Sequence, residues 1–393
     1  MKRVQHGPPA AYSVEAVSKA CTVLRAFRHE SELLRLQDVV ARAVLPKVTV
    51  YRLLSTLQAN GLVEHVGTEG YRSRVRIIEW RQWKIGYAGQ SAEFAFSREV
   101  ADSLKRAAEA ERLTLISLDN RYSGRAALKN VEHLLREKVN LIIEFQTDEH
   151  VAPIISAKCL EAGVPLIAIE IPHPGATFFG VNNYAAGLMG GRLLGRWAKR
   201  HWGGRVDNVL LLELSMAGPL PASRLTGALH GIREVLPHFD DRRAVRMNGN
   251  GQFGHTLELV RKWLRVSRSE RTLVAAINDP SAVGALRAFE EAGRRDHCAV
   301  LGQNASAEAR AELRRAGTRL IASVAYFPER YGEGLVSLAL DILQEKPAPP
   351  AVFIRNQLIT PENVNHYYPN DRTLSPEEVD TLLVAHARAV PSR

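Results

Sequence analysis

From Trp83 onward the sequence alternates short apolar runs with helix-length segments, and this rhythm limits the fold more than any other feature. Strands are predicted over 84–88, 113–118, 141–145, 166–169, 209–214, 244–247, 273–277, 299–301 and 320–324. Most are separated by segments that suit amphipathic helices, such as 126–138 and 281–292. Repeated strand-then-helix units imply parallel sheets covered on both faces. Nine such strands over about 280 residues fit two lobes better than one sheet. The proline-rich stretch 346–350 reads as a connector, and 351–359 as a returning extended segment.

At 393 residues the chain exceeds one core of ordinary size, so two or three domains are expected. Residues 1–79 hold twelve Lys/Arg against seven Asp/Glu, half of the whole chain's net +10 in about a fifth of its length. That bias suits a polyanionic partner. Cys21, Cys159 and Cys298 are far apart and odd in number, which suggests buried thiols in a reducing compartment, neither a disulfide framework nor a metal site. The basic start lacks the apolar segment of a signal peptide, and no run of 18 apolar residues exists to span a membrane. A cytoplasmic location is expected.

Residues 45–57 make the basic head specific. Val50, Leu53, Leu54 and Leu57 recur at i, i+3, i+4 and i+7 and predict one buried stripe. Lys47, Thr49, Arg52 and Thr56 fall opposite it, where they reach phosphates and base edges. Pro46 suits the first helical position, and Gly61 the left-handed stop. Two helices precede this one. The first is capped by Ser13 and carries Val17, Ala20, Leu24 and Phe27; the second runs from 37 to about 43. Strands at 62–66 and 71–77 flank the turn Gly67-Thr68-Glu69-Gly70. Three helices and a hairpin over 13–80 predict a winged helix-turn-helix behind a tail at 1–12.

The stretch from Leu45-Pro46-Lys47-Val48-Thr49-Val50-Tyr51-Arg52-Leu53-Leu54 through Leu57, Gly61-Leu62-Val63 and Gly70-Tyr71-Arg72 resembles the winged helix-turn-helix of IclR-type bacterial transcription regulators. The resemblance implies operator contacts from Lys47, Thr49, Tyr51 and Arg52, with Arg72 and Arg74 meeting the backbone or minor groove. Val48 departs from the family pattern by standing where a small hydroxyl residue is common. One such helix reads too few base pairs for a genomic address, so a homodimer or higher homo-oligomer on double-stranded operator DNA is expected.

The larger part, 83–368, resembles type I periplasmic sugar-binding proteins and hence the sensor of LacI-type repressors. The stretches that carry this likeness are Ala276-Ile277-Asn278-Asp279-Pro280-Ser281-Ala282-Val283-Gly284-Ala285-Leu286, Ser223-Arg224-Leu225-Thr226-Gly227-Ala228, Gly302-Gln303-Asn304, the run 324–332 and Leu358-Ile359-Thr360-Pro361-Glu362-Asn363-Val364. It implies lobe crossovers near 180–185, 324–328 and 346–360, and leaves 369–393 as a tail. It also implies ligand contacts from Glu93, Phe94, Glu170, Arg224, Asn278, Asn304 and Tyr326. In α/β sheets such residues belong at the carboxyl ends of strands, where ligands bind. Asn304 replaces a frequent carboxylate, Ile171 an arginine and Tyr326 an amide, departures that argue for a less charged and different ligand and assign no specific pentose or hexose. Plainer readings stand beside these. Asn278-Asp279 also fits a simple helix cap followed by Pro280. Arg224 also fits a surface helix charge, Glu170 a loop carboxylate paired with a base, and one of Phe94 and Phe96 the core.

Catalytic signatures are poor. The glycines of 187–195 lie in a helix-like segment and suit close helix packing, unlike a phosphate loop. The histidines lack metal spacing, and no Gly-x-Ser-x-Gly elbow occurs. The expectation is a ligand-responsive transcription regulator, not an enzyme, without metal or cofactor, with a small-molecule effector that is first of all a sugar. The alternatives are a regulator whose α/β part senses another metabolite or only dimerises and, more remotely, an α/β enzyme with a DNA-binding head.

Overall fold

The computed structural model describes residues 14–27, 32–75, 83–371 and 374–388. They divide into two units, one built from the N-terminal 82 residues with 344–346 and one from the rest.

In the first unit, α1 (Glu15–Leu24), α2 (Leu36–Ala43) and α3 (Lys47–Ala59) precede β1 (Val63–Val66) and β2 (Gly70–Ser73). Val23, Leu24, Phe27, Val39, Val50, Leu54, Leu57, Val63 and Tyr71 form one core. The expected stripe of α1 is shifted: Val17 is exposed, and Val23 takes its place beside Leu24. The Ser13 cap and the distal part of the 71–77 strand lie outside the described residues. β1 and β2 pair antiparallel from Val63–Ser73 to Val66–Gly70. Tyr71 also exchanges two backbone hydrogen bonds with Leu34, so the hairpin is tied to the approach to α2. A Cβ at Gly70 would lie 2.5 Å from the Leu34 carbonyl oxygen, which explains the glycine there.

The second unit has two lobes. The first contains β3 (Lys84–Gly89), α4 (Ala95–Ala110), β4 (Thr114–Asp119), α5 (Gly124–Arg136), β5 (Leu141–Glu144), α6 (Ala152–Glu161), β6 (Leu166–Ile169) and β7 (Thr177–Val181). The second contains α7 (Asn183–Trp202), β8 (Asn208–Glu213), α8 (Pro219–Val235), β9 (Ala244–Asn248), α9 (Phe253–Val266), β10 (Thr272–Ala276), α10 (Asp279–Glu291), β11 (Cys298–Asn304), α11 (Ala307–Arg314) and β12 (Leu320–Ala325). The chain then returns through α12 (Tyr331–Leu343) and β13 (Ala351–Ile354) to the first lobe, and through β14 (Gln357–Ile359) to the second. The short α13 (Val364–Tyr367) and then α14 (Pro376–Arg388) follow. Among the described residues the sheets are six-stranded, ordered β13-β7-β6-β5-β3-β4 and β14-β12-β11-β10-β8-β9. All pairings within them are parallel except β12 with β14. The order reverses at β3/β5 and at β8/β10, and loops diverge there to leave a crevice at the carboxyl ends.

The expectation for 369–393 is corrected. Residues 376–388 form α14, whose Val379 and Leu383 are buried with Phe253, Val283 and Ala311 of the second lobe. Asp380 pairs with Arg287 at 2.9 Å, and Ser375 and Glu378 cap the helix reciprocally. Apolar burial and an ion pair dock a segment that a free tail would leave in water.

The glycines of α7 pack helix against helix. A Cβ at Gly187 would lie 1.8 Å from the Arg224 carbonyl oxygen, and one at Gly191 2.0 Å from that of Ala228. Gly227 and Gly231 of α8 answer them against α7. This approach fixes the height of Arg224 above its sheet. Helix propensity alone favours alanine over glycine by about 1 kcal/mol; overpacking of this kind costs about 1–3 kcal/mol or more. Gly191→Ala is therefore expected to lower the denaturant midpoint, and a raised midpoint would contradict the packing account.

Candidate functional site

In the first unit, α3 presents two faces. Val50, Leu54 and Leu57 are buried and Leu53 is half-buried, while Lys47, Val48, Tyr51, Arg52, Ser55 and Thr56 are exposed. The outward stripe runs through Val48, Tyr51, Arg52 and Ser55, at i, i+3, i+4 and i+7. Thr49 is half-buried at its flank, and the Thr56 hydroxyl donates to the Arg52 carbonyl at 2.9 Å. Pro46 occupies the N-cap, one residue before the expected position, and Gly61 has φ +72°, the left-handed stop.

The wing arginines are held by a residue the sequence did not single out. Glu64 of β1 faces Arg72 across the hairpin and accepts from it at 3.1 Å, while Arg74 reaches the other oxygen at 2.7 Å. Hydrogen bonding from Arg74 holds the Glu64 carboxyl below its usual range. Both guanidiniums thus lie side by side on one edge of the hairpin, held by one carboxylate.

In the second unit the strand ends surround a cleft whose atom-free space, counted out into open solvent, is about 850 Å³. Phe94, Glu170, Arg224, Asn278, Asn304 and Tyr326 all line it. Glu93 does not: its side chain is exposed, and its backbone carbonyl accepts from Arg98 in the turn that enters α4. Phe94 tilts over Tyr122 with ring centroids 4.9 Å apart. Phe96 packs edge-on against Phe145, Tyr326 and Tyr331, so Phe96 is the one joined to the core.

The floor of the cleft is an ion pair. Arg224 Nη2 lies 3.1 Å from Glu170 Oε2, with side chains 9% and 7% exposed, low enough that water hardly screens the pair. The same guanidinium donates to Asn183 Oδ1 at 2.5 Å and to the Ile277 carbonyl at 3.0 Å, and it lies 4.9 Å from the Tyr326 ring centre. Tyr331 donates to Glu170 Oε1 at 2.7 Å. Burial raises the Glu170 carboxyl above its usual range against the opposing pull of Arg224. Glu170 belongs to the first lobe and Arg224 to the second. Of the two plain readings, pairing with a base holds for Glu170, and the surface charge fails for Arg224, which is buried.

The rim at β10 and β11 is fixed by Asn278 and Asp279. Asn278 caps α10 by accepting from Ser281 N–H and donates to the Gly251 carbonyl at 2.8 Å, so the capping reading holds and the residue still faces the cleft. Fully buried Asp279 accepts from Ser306 N–H at 2.7 Å and Ser323 Oγ at 2.6 Å. Burial pushes its carboxyl up to about 7. Asn304, which lines the cleft, has φ +102°, a strained conformation for a residue with a side chain. Tyr326 donates to Gln303 at 2.5 Å.

Gln90, Tyr122, Thr147, Ser306, Glu308 and Leu383 also line the cleft and were not anticipated. Gln90, Thr147 and Ser306 closely follow β3, β5 and β11, and the rule of carboxyl ends could have found them. Glu308 on α11 and Leu383 on α14 carry no such signal. Among the described residues no three of His, Cys, Asp and Glu are placed to hold a metal, and no helix is long and apolar enough to cross a membrane. Cys159 and Cys298 are buried; Cys21 is half-buried.

The profile of the periplasmic binding protein domain family matches residues 85–347, well over half of the chain. The chain belongs to this family. Residues 16–67 match the IclR helix-turn-helix domain, so the protein fuses an IclR-type head to a periplasmic-binding-protein domain. A comparison with curated proteins gives no match. Among solved structures, a periplasmic solute-binding protein from Actinobacillus succinogenes with bound D-allose is 18% identical, at TM-score 0.63, over 72% of this chain and all of that one. One from Bacillus halodurans with bound myo-inositol is 22% identical, at TM-score 0.62, over 75% of this chain and 99% of that one. One from Agrobacterium vitis bound with alpha-D-tagatopyranose is 15% identical, at TM-score 0.65, over 75% and 100%. At these identities the likeness establishes the fold of this periplasmic-binding-protein domain.

The two lobes of the domain are joined again by Glu99 of α4 and Arg310 of α11, 3.5 Å apart. Burial pushes Glu99 up to about 7, Arg310 opposing and Glu329, Glu308 and Asp371 adding to the rise. A carboxyl raised above its unfolded value destabilises the fold as pH climbs. The penalty begins near the ordinary glutamate value of 4.5, where the unfolded chain ionises, and is complete near 7. Asp279 acts in the same sense. The melting temperature is expected to fall from pH 5 to pH 7 and then level, with a shallower slope in Glu99→Gln. An identical slope in the variant would remove Glu99 from this account.

Proposed function

We propose that this protein is a ligand-responsive transcription regulator that binds operator DNA through α3 and the β1–β2 wing and senses a small molecule, foremost a sugar, in the interlobe cleft. The observation that carries the reading is the pairing, in one chain, of an IclR-type helix-turn-helix domain with a binding-protein domain whose two lobes enclose a cleft. Lys47, Thr49, Tyr51, Arg52 and Thr56 supply base and phosphate contacts from α3. Val48 and Ser55 join them because they share its exposed stripe. Arg72 and Arg74 exchange Glu64 for DNA phosphates, a salt-dependent term.

In the cleft, Phe94 and Tyr122 offer ring faces to sugar C–H groups, and Asn304, Ser306, Gln90 and Thr147 offer donors and acceptors to hydroxyls. Solved neighbours of the same fold hold D-allose, myo-inositol and a tagatopyranose, which supports a polyol as the ligand. Glu170, Arg224, Asn278 and Tyr326 shape and polarise the floor. The regulator works in the cytoplasm as a homodimer on a two-part operator, in the manner of a LacI-type sensor, and does not turn its ligand over. Ligand-driven closure of the lobes needs a coupling of only about 1–3 kcal/mol with DNA affinity to be regulatory.

Arg52→Ala is expected to abolish specific operator binding in an anisotropy titration while leaving ligand-induced thermal stabilisation intact. Loss of both together would refute the division of labour between head and cleft.

A further inference from the structure

Glu308 is a carboxylate without a partner inside the cleft. It lies in the first turn of α11, lines the cleft, and is 3% exposed. Among the described residues no hydrogen bond or ion pair reaches its carboxylate, although nearly every other buried acid of this domain has one: Glu170 has Arg224 and Tyr331, Asp279 has Ser306 and Ser323, and Glu312 has Arg287. The first turn of a helix tolerates a negative charge, since unpaired backbone N–H groups point toward it. That favourable field leaves the carboxylate oxygens, which open onto the cleft, without a donor from the protein.

The charge of the cleft wall follows directly. Its side chains of fixed sign are Glu170, Arg224 and Glu308. The first two cancel in their ion pair, so Glu308 leaves the wall with one uncompensated negative charge. A ligand that brings its own carboxylate or phosphate meets this charge inside a cleft whose protein walls screen it less than bulk water does. A ligand rich in O–H or N–H donors satisfies it.

We infer that Glu308 is a specificity-determining residue that accepts hydrogen bonds from ligand donors, and that the cleft selects non-anionic polyhydroxylated ligands against sugar acids and sugar phosphates. This rests on the reading of the cleft as a sugar site, which it deepens. Glu308 lies outside the positions implied by the family resemblance and comes from a helix, not from a strand end. Asn304 and Ser306, four and two residues before it, are placed to bind neighbouring hydroxyls of the same ligand.

The test uses the full chain and matched sets of sugars: neutral hexoses and cyclitols such as D-glucose, D-allose and myo-inositol, the uronic acid and 6-phosphate of each hexose, and the 2-amino sugar. Calorimetric titration of the wild-type chain is expected to show binding by a neutral or amino member and at least about ten-fold weaker binding by its acid and phosphate, the loss that one unpaired buried charge implies. Glu308→Gln is expected to weaken the best ligand by about ten-fold or more and to narrow the gap to its acid, without lowering the melting temperature of the free protein. Binding of the acid as tight as that of the neutral sugar overturns the proposal, and needs no variant to observe. So does a folded Glu308→Gln variant with unchanged affinity and selectivity; in both cases the sugar-site reading survives. A wild-type chain that binds no sugar of any charge overturns the sugar-site reading itself, and this inference with it.

Discussion

The buried pairing of Glu170 with Arg224 is the constraint around which the larger domain is arranged. Two charges removed from water are tolerable only if each is matched by an opposite charge and by further hydrogen bonds. The structure supplies both: Tyr331 to the carboxylate, and Asn183 and the Ile277 carbonyl to the guanidinium. Removing one partner would strand the other at a cost of about 3–5 kcal/mol. The elements that meet here are the end of β6, the start of α7, the middle of α8, the end of β10 and the start of α12. Two of them, the starts of α7 and α12, are points where the chain passes between lobes. The pair therefore joins the lobes beside their hinge, while Glu99 and Arg310 join them elsewhere.

The glycine contacts between α7 and α8 serve the same end by other means. They let the two helices approach until side chains at four positions are impossible, and so place Arg224 where it reaches across to Glu170. Backbone packing sets the distance and electrostatics sets the partner. Beside the pair the cleft wall then carries a small polar set: aromatic rings, the amides of Gln90, Asn278 and Asn304, the hydroxyls of Thr147 and Ser306, and the carboxylate of Glu308.

Much of this was legible in the sequence, and the reasons differ by element. Strands buried on both faces read as short apolar runs, so β6 agrees with its expected bounds and β3, β5, β8 and β10 agree within a residue at either end. β7 was missed because Thr177–Val181 follows a Pro-Gly loop and lay against an expected lobe crossover. The helix α14 was missed although Ser375 with Glu378 spells a capping box and Val379 with Leu383 marks one face. Short amphipathic segments near a chain end look like tails unless their docking site is known. Glu93 was misplaced because a turn of one residue decides whether a side chain meets the cleft or the solvent. Glu64 and Glu308 could not have been singled out at all. Their importance lies in what surrounds them across the fold, the two arginines in one case and the lack of any partner in the other.

The head and the domain with the cleft are each intelligible alone; the claim that joins them is that one governs the other. The direct measurement is the affinity of the full chain for DNA from the region upstream of its own coding sequence, with and without the sugar that most raises its melting temperature. The Kd is expected to change about 5-fold or more in either direction, the range of ordinary allosteric coupling. A ligand that binds the cleft tightly and leaves the Kd for DNA unchanged would contradict it.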